Sequence, residues 1–555
     1  MMKIKTYLPS VLLMLFLMLF SCNTDHEKVD SKTVQLAQRI VDLQFTETEI
    51  DSMLESLHNY RENYQDIRTI EIGNEIAPRL YFDPRPQNFV PPGKQKNNQW
   101  QISENVELPE NFEDLAFYPV AELASLIKNK KISSVQLTEM YLTRLKKYGD
   151  TLQCVVTLTE ESALKQAQKA DEEIAQGIYR GPLHGIPYGV KDLFAVEGYK
   201  TTWGAAPYKN QQIDQTATVV KKLEDAGAVL VAKLTLGALA MGDVWFGGVT
   251  KNPWDLNQGS SGSSAGAASA TAAGLVGFAI GTETWGSIVS PSTRCGVTGL
   301  RPTFGQVSRF GAMALSWTMD KVGPIARNAY DCALVFDAIH GMDIKDPSTT
   351  NYPFNYEEKK ITAFKVGYLK SYFDKEYRGQ KNDSLTLDVL KELGVTLHEV
   401  ELPNDLPVNS LAIILEAEAA TAFDELTRSN KDDELTAQHK YAWPNIFRSA
   451  RFIPAVEYIQ ASRLRDILIE EFQQVIKDYD VIITPSYGGD QLLMTNLTGN
   501  PCVVVPNGFD DEKHPTSISF IGNLYDEAVL LNFVKHYQEA TDFDRLIPEF
   551  FVSNK

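Results

Sequence analysis

Histidine and cysteine are scarce in this chain of 555 residues, at eight and five copies. No histidine pair forms H-E-x-x-H, and Cys22, Cys154, Cys295, Cys332 and Cys502 stand far apart with no C-x-x-C among them. These absences remove the sequence signatures of zinc proteases, zinc ribbons and thioredoxin-like redox sites, so no metal is expected. Basic charge is also in deficit: 53 Lys and Arg against 72 Asp and Glu leave a net charge of -19. Such a surface repels phosphate backbones, and nucleic acid is not an expected partner. The apolar run from Val11 to Phe20 falls short of the ~20 residues that cross a bilayer as a helix. What remains is an ordinary globular composition, 43% apolar and 23% charged, which excludes disordered and collagen-like chains.

The short apolar run has its own meaning. Lys3 and Lys5 precede it, and it ends at Leu19, Phe20, Ser21, Cys22, a small residue just before a cysteine. The pattern fits the h-region of a secretory signal and resembles a bacterial lipobox. It implies residues 1–22 as a signal, Cys22 as the lipidated first residue of the mature protein, and an exported, lipid-anchored protein of the cell envelope. The membrane is then a partner through the anchor only. Cys154, Cys295 and Cys502 have apolar neighbours in Val155, Val297 and Val503, which suit buried thiols, and no obligatory disulfide is expected.

Residues 23–115 read as a tether and helical arm: helix-prone at first (Leu36, Ile40, Leu43), then rich in Pro and Asn from Asp83 to Asn98. From about 116 to 550 amphipathic helices alternate with short apolar strands, the pattern of layered α/β architecture. Length alone suggests about three or four domains, but the strands point to one. Ser134 is placed to cap a helix carrying Leu137, Met140, Tyr141 and Leu145 on one face, and a second helix shows Ala163, Ala167, Ala170 and Ile174 before Gly177. Strands are expected at Ile186 to Val190, Val229 to Ala232, Leu275 to Ile280, Val481 to Thr484 and Val503 to Val505. All are apolar on both faces, as in the interior of a single large sheet sandwiched by helices.

The most unusual stretch is Gly259 to Gly274, GSSGSSAGAASATAAG, followed after one apolar strand by Gly281 to Ser287, GTETWGS. A Gly/Ser tract is commonly a linker, but this one runs into an Ala-rich helix between buried strands. Small residues let backbone N–H groups approach a ligand, and a run of such donors stabilises the oxyanion formed when an acyl carbon is attacked. A serine there is a candidate nucleophile. It needs a base, and no histidine lies near.

At this point the residues resemble a known family, the amidase signature enzymes. The likeness rests on Gly262 to Gly266 (GSSAG), Gly281 to Ser287, Cys295 to Thr303 (CGVTGLRPT) and the upstream Gly185 to Asp192 (GIPYGVKD), with Gly522, Asp526 and Glu527 as a closing motif. Separated motifs in the right order carry far more weight than any one alone. The resemblance implies an α/β fold with a single large mixed sheet and amide hydrolysis without a cofactor. It also implies a triad: Ser287 as nucleophile, Ser263 as the bridging serine in a cis peptide with Gly262, and Lys191 as base. Ser263 is preferred over Ser260, Ser261 and Ser264 by aligning Ala272, Ala273 and Gly274, and Ser264 takes a supporting part. Backbone N–H groups of Thr284, Trp285, Gly286 and Ser287 form the implied oxyanion hole. Trp285 stands where the family usually has glycine, so it either adopts ordinary backbone angles or narrows the entrance. Glu283 replaces an aspartate and Val289 an arginine.

A lysine, with a reference pKa of ~10.4, acts as a base near neutrality only where burial without a carboxylate partner favours its neutral form. Lys191 follows an apolar strand, and so does a rival, Lys233. Gly262 to Gly266 also satisfies G-x-S-x-G, which would make Ser264 an esterase nucleophile with His514 or His536; that elbow needs a strand just before it, whereas Asn252 to Gly259 reads as a turn. A binding lipoprotein of the same fold without catalysis is a further alternative. The amidase component of a tRNA-dependent amidotransferase shares the triad, but export argues against it. Met313, Leu315, Trp317 and Met319 are candidates to line an apolar acyl pocket. The partner expected is a small-molecule amide; the sequence leaves the oligomeric state open.

Overall fold

Short, mostly apolar segments form the strands that carry this protein. Counting in chain order they are β1 (Val155–Leu158), β2 (Pro187–Lys191), β3 (Val229–Leu234), two small hairpins β4 (Val244–Trp245) with β5 (Gly248–Val249) and β6 (Lys251–Asn252) with β7 (Asp255–Gly259), then β8 (Phe278–Glu283), β9 (Thr298–Arg301) and β10 (Lys321–Ala326). The last five are β11 (Val366–Tyr368), β12 (Leu397–Glu399), β13 (Val481–Pro485), β14 (Cys502–Phe509) and β15 (Pro515–Gly522). The computed structural model describes residues 29–40, 44–67, 69, 74 and 81–552; the signal and lipid-attachment reading of residues 1–22, with Cys22, lies outside them. The chain divides into two compact units, Met1–Ile72 and Gly73–Lys555.

In the first unit, helix Ser31–Ala37 is capped by Asp30, whose carboxylate accepts from Thr33 N, and a longer helix spans Glu47–Ile67. Val34 and Ile50 are buried, and the Ser31 hydroxyl donates to Asp51 at 2.8 Å.

The second unit is built on one 11-stranded mixed sheet in the order β1-β3-β2-β8-β10-β9-β14-β15-β13-β11-β12. Strands β3, β2 and β8 run parallel, as do β13, β11 and β12, and the remaining pairs are antiparallel. The five strands read from the sequence all belong to it. Every residue of β2, β3, β8, β9, β10, β13 and β15 is buried, which requires cover on both faces and explains why apolar residues face both ways in strands such as β3 and β13. Cys154, Cys295, Cys332 and Cys502 are free and buried.

Helix Ser134–Leu152 buries Leu137, Met140, Tyr141 and Leu145, as its periodicity predicts. Its cap, however, is Ser133, which with Gln136 makes a capping box; Ser134 is already inside the helix, its hydroxyl donating to Gly185 O. Helix Glu160–Ala175 buries Ala163, Ala167, Ala170 and Ile174. From 81 to 111 the chain has no helix or strand and runs along the second unit, the Phe89 ring against Tyr352 and Tyr525 and Trp100 Nε1 donating to Asp337 at 2.8 Å.

The Gly/Ser tract becomes a loop and then helix Ala265–Ala272, all eight residues of which are buried. With no side chain larger than threonine, it lies close against the sheet. Its carbonyl end is met by two buried arginines: Arg144 donates to Gly274 O and Ala273 O at 2.8 and 2.9 Å, and Arg327 to Thr271 O at 3.1 Å. Cations there satisfy carbonyls that the helix itself cannot. Among the described residues no helix is long and apolar enough to cross a membrane.

Candidate active site

Two buried lysines end adjacent strands, and the register separates them. In the parallel β2/β3 pair Val190 lies opposite Lys233, and Lys191 opposite Leu234. Because side chains alternate along a strand, Lys191 and Lys233 leave the sheet on opposite faces. Lys233 Nζ lies 2.8 Å from Asp192 Oδ1, both side chains fully buried, and also donates to Lys200 O and the Thr201 hydroxyl. Burial pushes the Asp192 carboxyl up and the Lys233 amine down, against their mutual attraction. The acid next to Lys191 in sequence is thus taken up on the other face.

Lys191 is left among hydroxyls. Its Nζ donates to Ser263 Oγ at 2.8 Å, Thr282 Oγ1 at 2.8 Å and Ser264 Oγ at 3.2 Å, and it is wholly buried. Burial outweighs the more distant pull of Asp320 and Glu283 and brings its pKa down to about 7. The Ser264 hydroxyl donates to Thr282 O at 3.0 Å and accepts from Thr282 N at 3.1 Å, tying the serine loop to β8. The Gly262–Ser263 peptide is cis. A Cβ at Gly262 would lie 1.8 Å from Gly242 O, so only glycine fits there.

Ser287 follows β8 on a turn with a distinctive hydrogen-bond pattern. Glu283 Oε2 accepts from Ile288 N and Val289 N at 2.8 and 2.9 Å, while its Oε1 receives Arg301 Nη1 at 2.9 Å and Asn496 Nδ2 at 2.8 Å. Burial alone would raise this carboxyl; Arg301 and the donors more than reverse that and hold it near 2. The turn is pinned from behind by its flanking N–H groups. Among the described residues, those of Thr284, Trp285, Gly286 and Ser287 find no protein acceptor. The left-handed angle in this turn falls on Gly286, φ +85°, and not on Trp285. Trp285 therefore keeps ordinary angles, and the residue is 43% exposed.

The structure joins Lys191 to Ser263 and Ser264 directly. It brings Ser287 alongside through the backbone, Ser264 N donating to Ser287 O at 3.1 Å. No hydrogen bond between the Ser263 and Ser287 hydroxyls occurs among the described residues. The histidines weighed as esterase partners are engaged elsewhere, His514 with Arg378 and Asp255, His536 with Lys359 O. The segment before the serine loop, read as a turn, includes a strand, β7. Its Asp, Asn and Gln residues lie in a two-stranded hairpin with a polar surface, where apolar alternation is not required.

Beside the site opens a small pocket of about 100 Å³. Thr282, Thr284 and Asp320 line it on the side of the site, Arg309, Lys345 and Asp346 add charge, and Met313, Leu315 and Trp317 line it together with Leu193, Phe310 and Val322. Met319 does not; it is buried in the core. Thr282 and Asp320 escaped the sequence reading. Thr282 was within reach of it: β8 extends three residues past Ile280, and continuing its alternation puts Thr282 and Thr284 on one face and Glu283 on the other.

Comparison with known proteins identifies the family and the fold. The profile of the family described as Amidase matches residues 136–492. The A subunit of glutamyl-tRNA(Gln) amidotransferase from Marinomonas sp. (strain MWYL1) is 34% identical over 483 residues, 77% of this chain and 98% of that protein. Its counterpart from Coxiella burnetii (strain Dugway 5J108-111) is 34% identical over 480 residues, 78% and 99%. Among solved structures, the peptide amidase from Stenotrophomonas maltophilia superposes with a TM-score of 0.70 at 28% identity, covering 78% of this chain and 98% of that one. An amidase family protein from Bacillus anthracis str. Ames gives 0.71 at 26%, covering 79% and 93%.

Proposed function

The chain belongs to the amidase family, and from that membership we propose that it hydrolyses a carboxylic amide to an acid and an amine or ammonia through an acyl intermediate on Ser287. The observation that carries the reading is Lys191: a wholly buried amine whose partners are hydroxyls, 2.8 Å from Ser263. Neutral Lys191 accepts the Ser263 proton as Ser263 accepts that of Ser287, and the Ser287 oxygen bonds to the acyl carbon. The negative charge that develops on the carbonyl oxygen is met by the unpaired N–H groups of residues 284–287. The relay then runs in reverse. Lys191 returns the proton through Ser263 to the amide nitrogen as the C–N bond breaks, which matters because an amide nitrogen leaves poorly without it. Water, deprotonated along the same path, releases the acid. The apolar wall of Met313, Leu315 and Trp317 suits an apolar acyl group.

A second reading, one component of an amidotransferase, is favoured by the 34% identity to the glutamyl-tRNA(Gln) amidotransferase protein of Marinomonas. The two part on whether the isolated chain turns over amides unaided. The test is an amide panel, from peptide amides to N-acyl amines, run on wild type and Ser287→Ala, with labelling by a serine-reactive fluorophosphonate. Turnover and labelling are expected in wild type and lost in Ser287→Ala; labelling that persists in the variant overturns the assignment. We further propose, from residues 3–22 alone, that the protein is exported and anchored by lipid on Cys22.

A further inference from the structure

Asp320 immediately precedes β10, whose first residue, Lys321, lies opposite Glu283 of β8. This register sets the carboxylate against the end of β8. Thr284 Oγ1 donates to Asp320 Oδ1 at 2.6 Å, and Leu315 N and Ser316 N donate to Oδ2 at 2.8 and 3.0 Å. Thr282, two residues back on the same face of β8, receives Lys191 Nζ at 2.8 Å, and Thr282, Thr284 and Asp320 line one pocket. The carboxylate thus faces the lysine across two threonines.

We propose that Asp320 is a positioning residue for this reaction: it fixes the Thr284 side chain beside the oxyanion turn, and it supplies the negative charge against which Lys191 keeps or sheds its proton. The inference rests on Lys191 being the base. Three charged groups face or flank that lysine. Asp192, next to it in sequence, is matched by Lys233, and Glu283 of β8 by Arg301. Asp320 lies within 4.0 Å of no cation among the described residues, so its charge is the least compensated; Arg309 and the buried Lys321 act on it only from longer range. Its influence on Lys191 is upward, and larger than that of Glu283. Burial pushes the Asp320 carboxyl itself up, while Thr284 and the two backbone donors pull it back. A site whose base must be neutral is thereby kept from losing its proton too readily, so that Lys191 can still protonate the leaving nitrogen near neutral pH.

The experiment is the pH dependence of fluorophosphonate inactivation and of kcat/KM in the full chain. Asp320→Asn and Asp320→Ser remove the charge, and the acidic limb is expected to move about one pH unit lower. Asp320→Glu is expected to leave the limb in place, and Thr284→Val to lower kcat without moving it. An unmoved limb in a folded neutral variant overturns the proposal. So does failure of both neutral variants to fold while Asp320→Glu folds, which would make the carboxylate a structural prop. If wild type has a limb that Asp320→Asn does not shift, this inference alone fails; if Ser287→Ala still labels, the functional reading fails first.

Discussion

The charge state of Lys191 makes the sharpest demand on experiment. With its pKa at about 7, roughly a tenth of the protein carries a neutral amine at pH 6 and nearly all does above pH 8, whereas an unshifted lysine at pH 7 would be neutral in only about one molecule in 2,500. The charged form is the inactive one. The rate of Ser287 inactivation by a fluorophosphonate is therefore expected to rise about tenfold from pH 5 to 6, bend near 7 and level off above 8. Inactivation is the better assay here because it requires no knowledge of the natural amide. Lys191→Ala should cost about 10²- to 10⁴-fold in the plateau rate, the usual worth of a positioned base. A profile flat from pH 6 to 10 would refute the reasoning, since nothing would then titrate. A bend above pH 9 would refute it equally, because the amine would be behaving as though solvated.

Three other perturbations test separate parts of the structure. Glu283→Ala leaves Arg301 charged and unpaired in the interior, along with Asn496 and two backbone N–H groups; a loss of about 3–5 kcal/mol is expected by denaturant titration at pH 7. Because this carboxyl is held near 2 against an ordinary value of 4.5, its contribution in wild type is complete above about pH 5 and disappears as the pH falls through 2, so the melting temperature should decline over that window. Gly262→Ala forces a methyl to within 1.8 Å of Gly242 O, and the serine loop must shift; fluorophosphonate labelling should fall at least tenfold even where circular dichroism still reports a folded chain. Cys22→Ser is expected to move the expressed protein from the membrane to the soluble fraction of cells, and unchanged membrane association would sink the lipid-anchor reading.

How far the fold could be read ahead depended on how each segment meets the sheet. Strands such as β3 and β14, aliphatic on both faces, announced themselves, and so did the small-residue tract, because no solvated loop needs that composition. β10 did not. It reads KVGPIA, and a proline in mid-strand argues against a central position; yet Pro324 sits between β8 and β9, pairing with the latter only through Ile325 and Ala326 beyond it. β11 and β12, three residues each, are too short to show a period. Within the site, Lys191 and the two serines were legible from motifs. Asp320 was not, since its place depends on the register between β8 and β10, a long-range pairing that local sequence does not encode. The distinction between Lys191 and Lys233 was hidden for the same reason: both end apolar strands, and only a one-residue offset between neighbours sends them to different faces.

Helix Ala265–Ala272 invites a mechanical analogy. An eight-residue helix is a rod about 12 Å long, and this one has no bulky teeth to mesh with its surroundings. Two guanidinium groups hold the carbonyls of its far tip, the Ser269 hydroxyl donates to Lys251 O from its middle, and Ser264 ties its near end to β8. Arg144 and Arg327 are thus anchors at the tip remote from the two hydroxyls and the amine. Trimming either one is expected to lower turnover from a rod's length away, read as a fall in fluorophosphonate labelling of a chain that circular dichroism reports as folded.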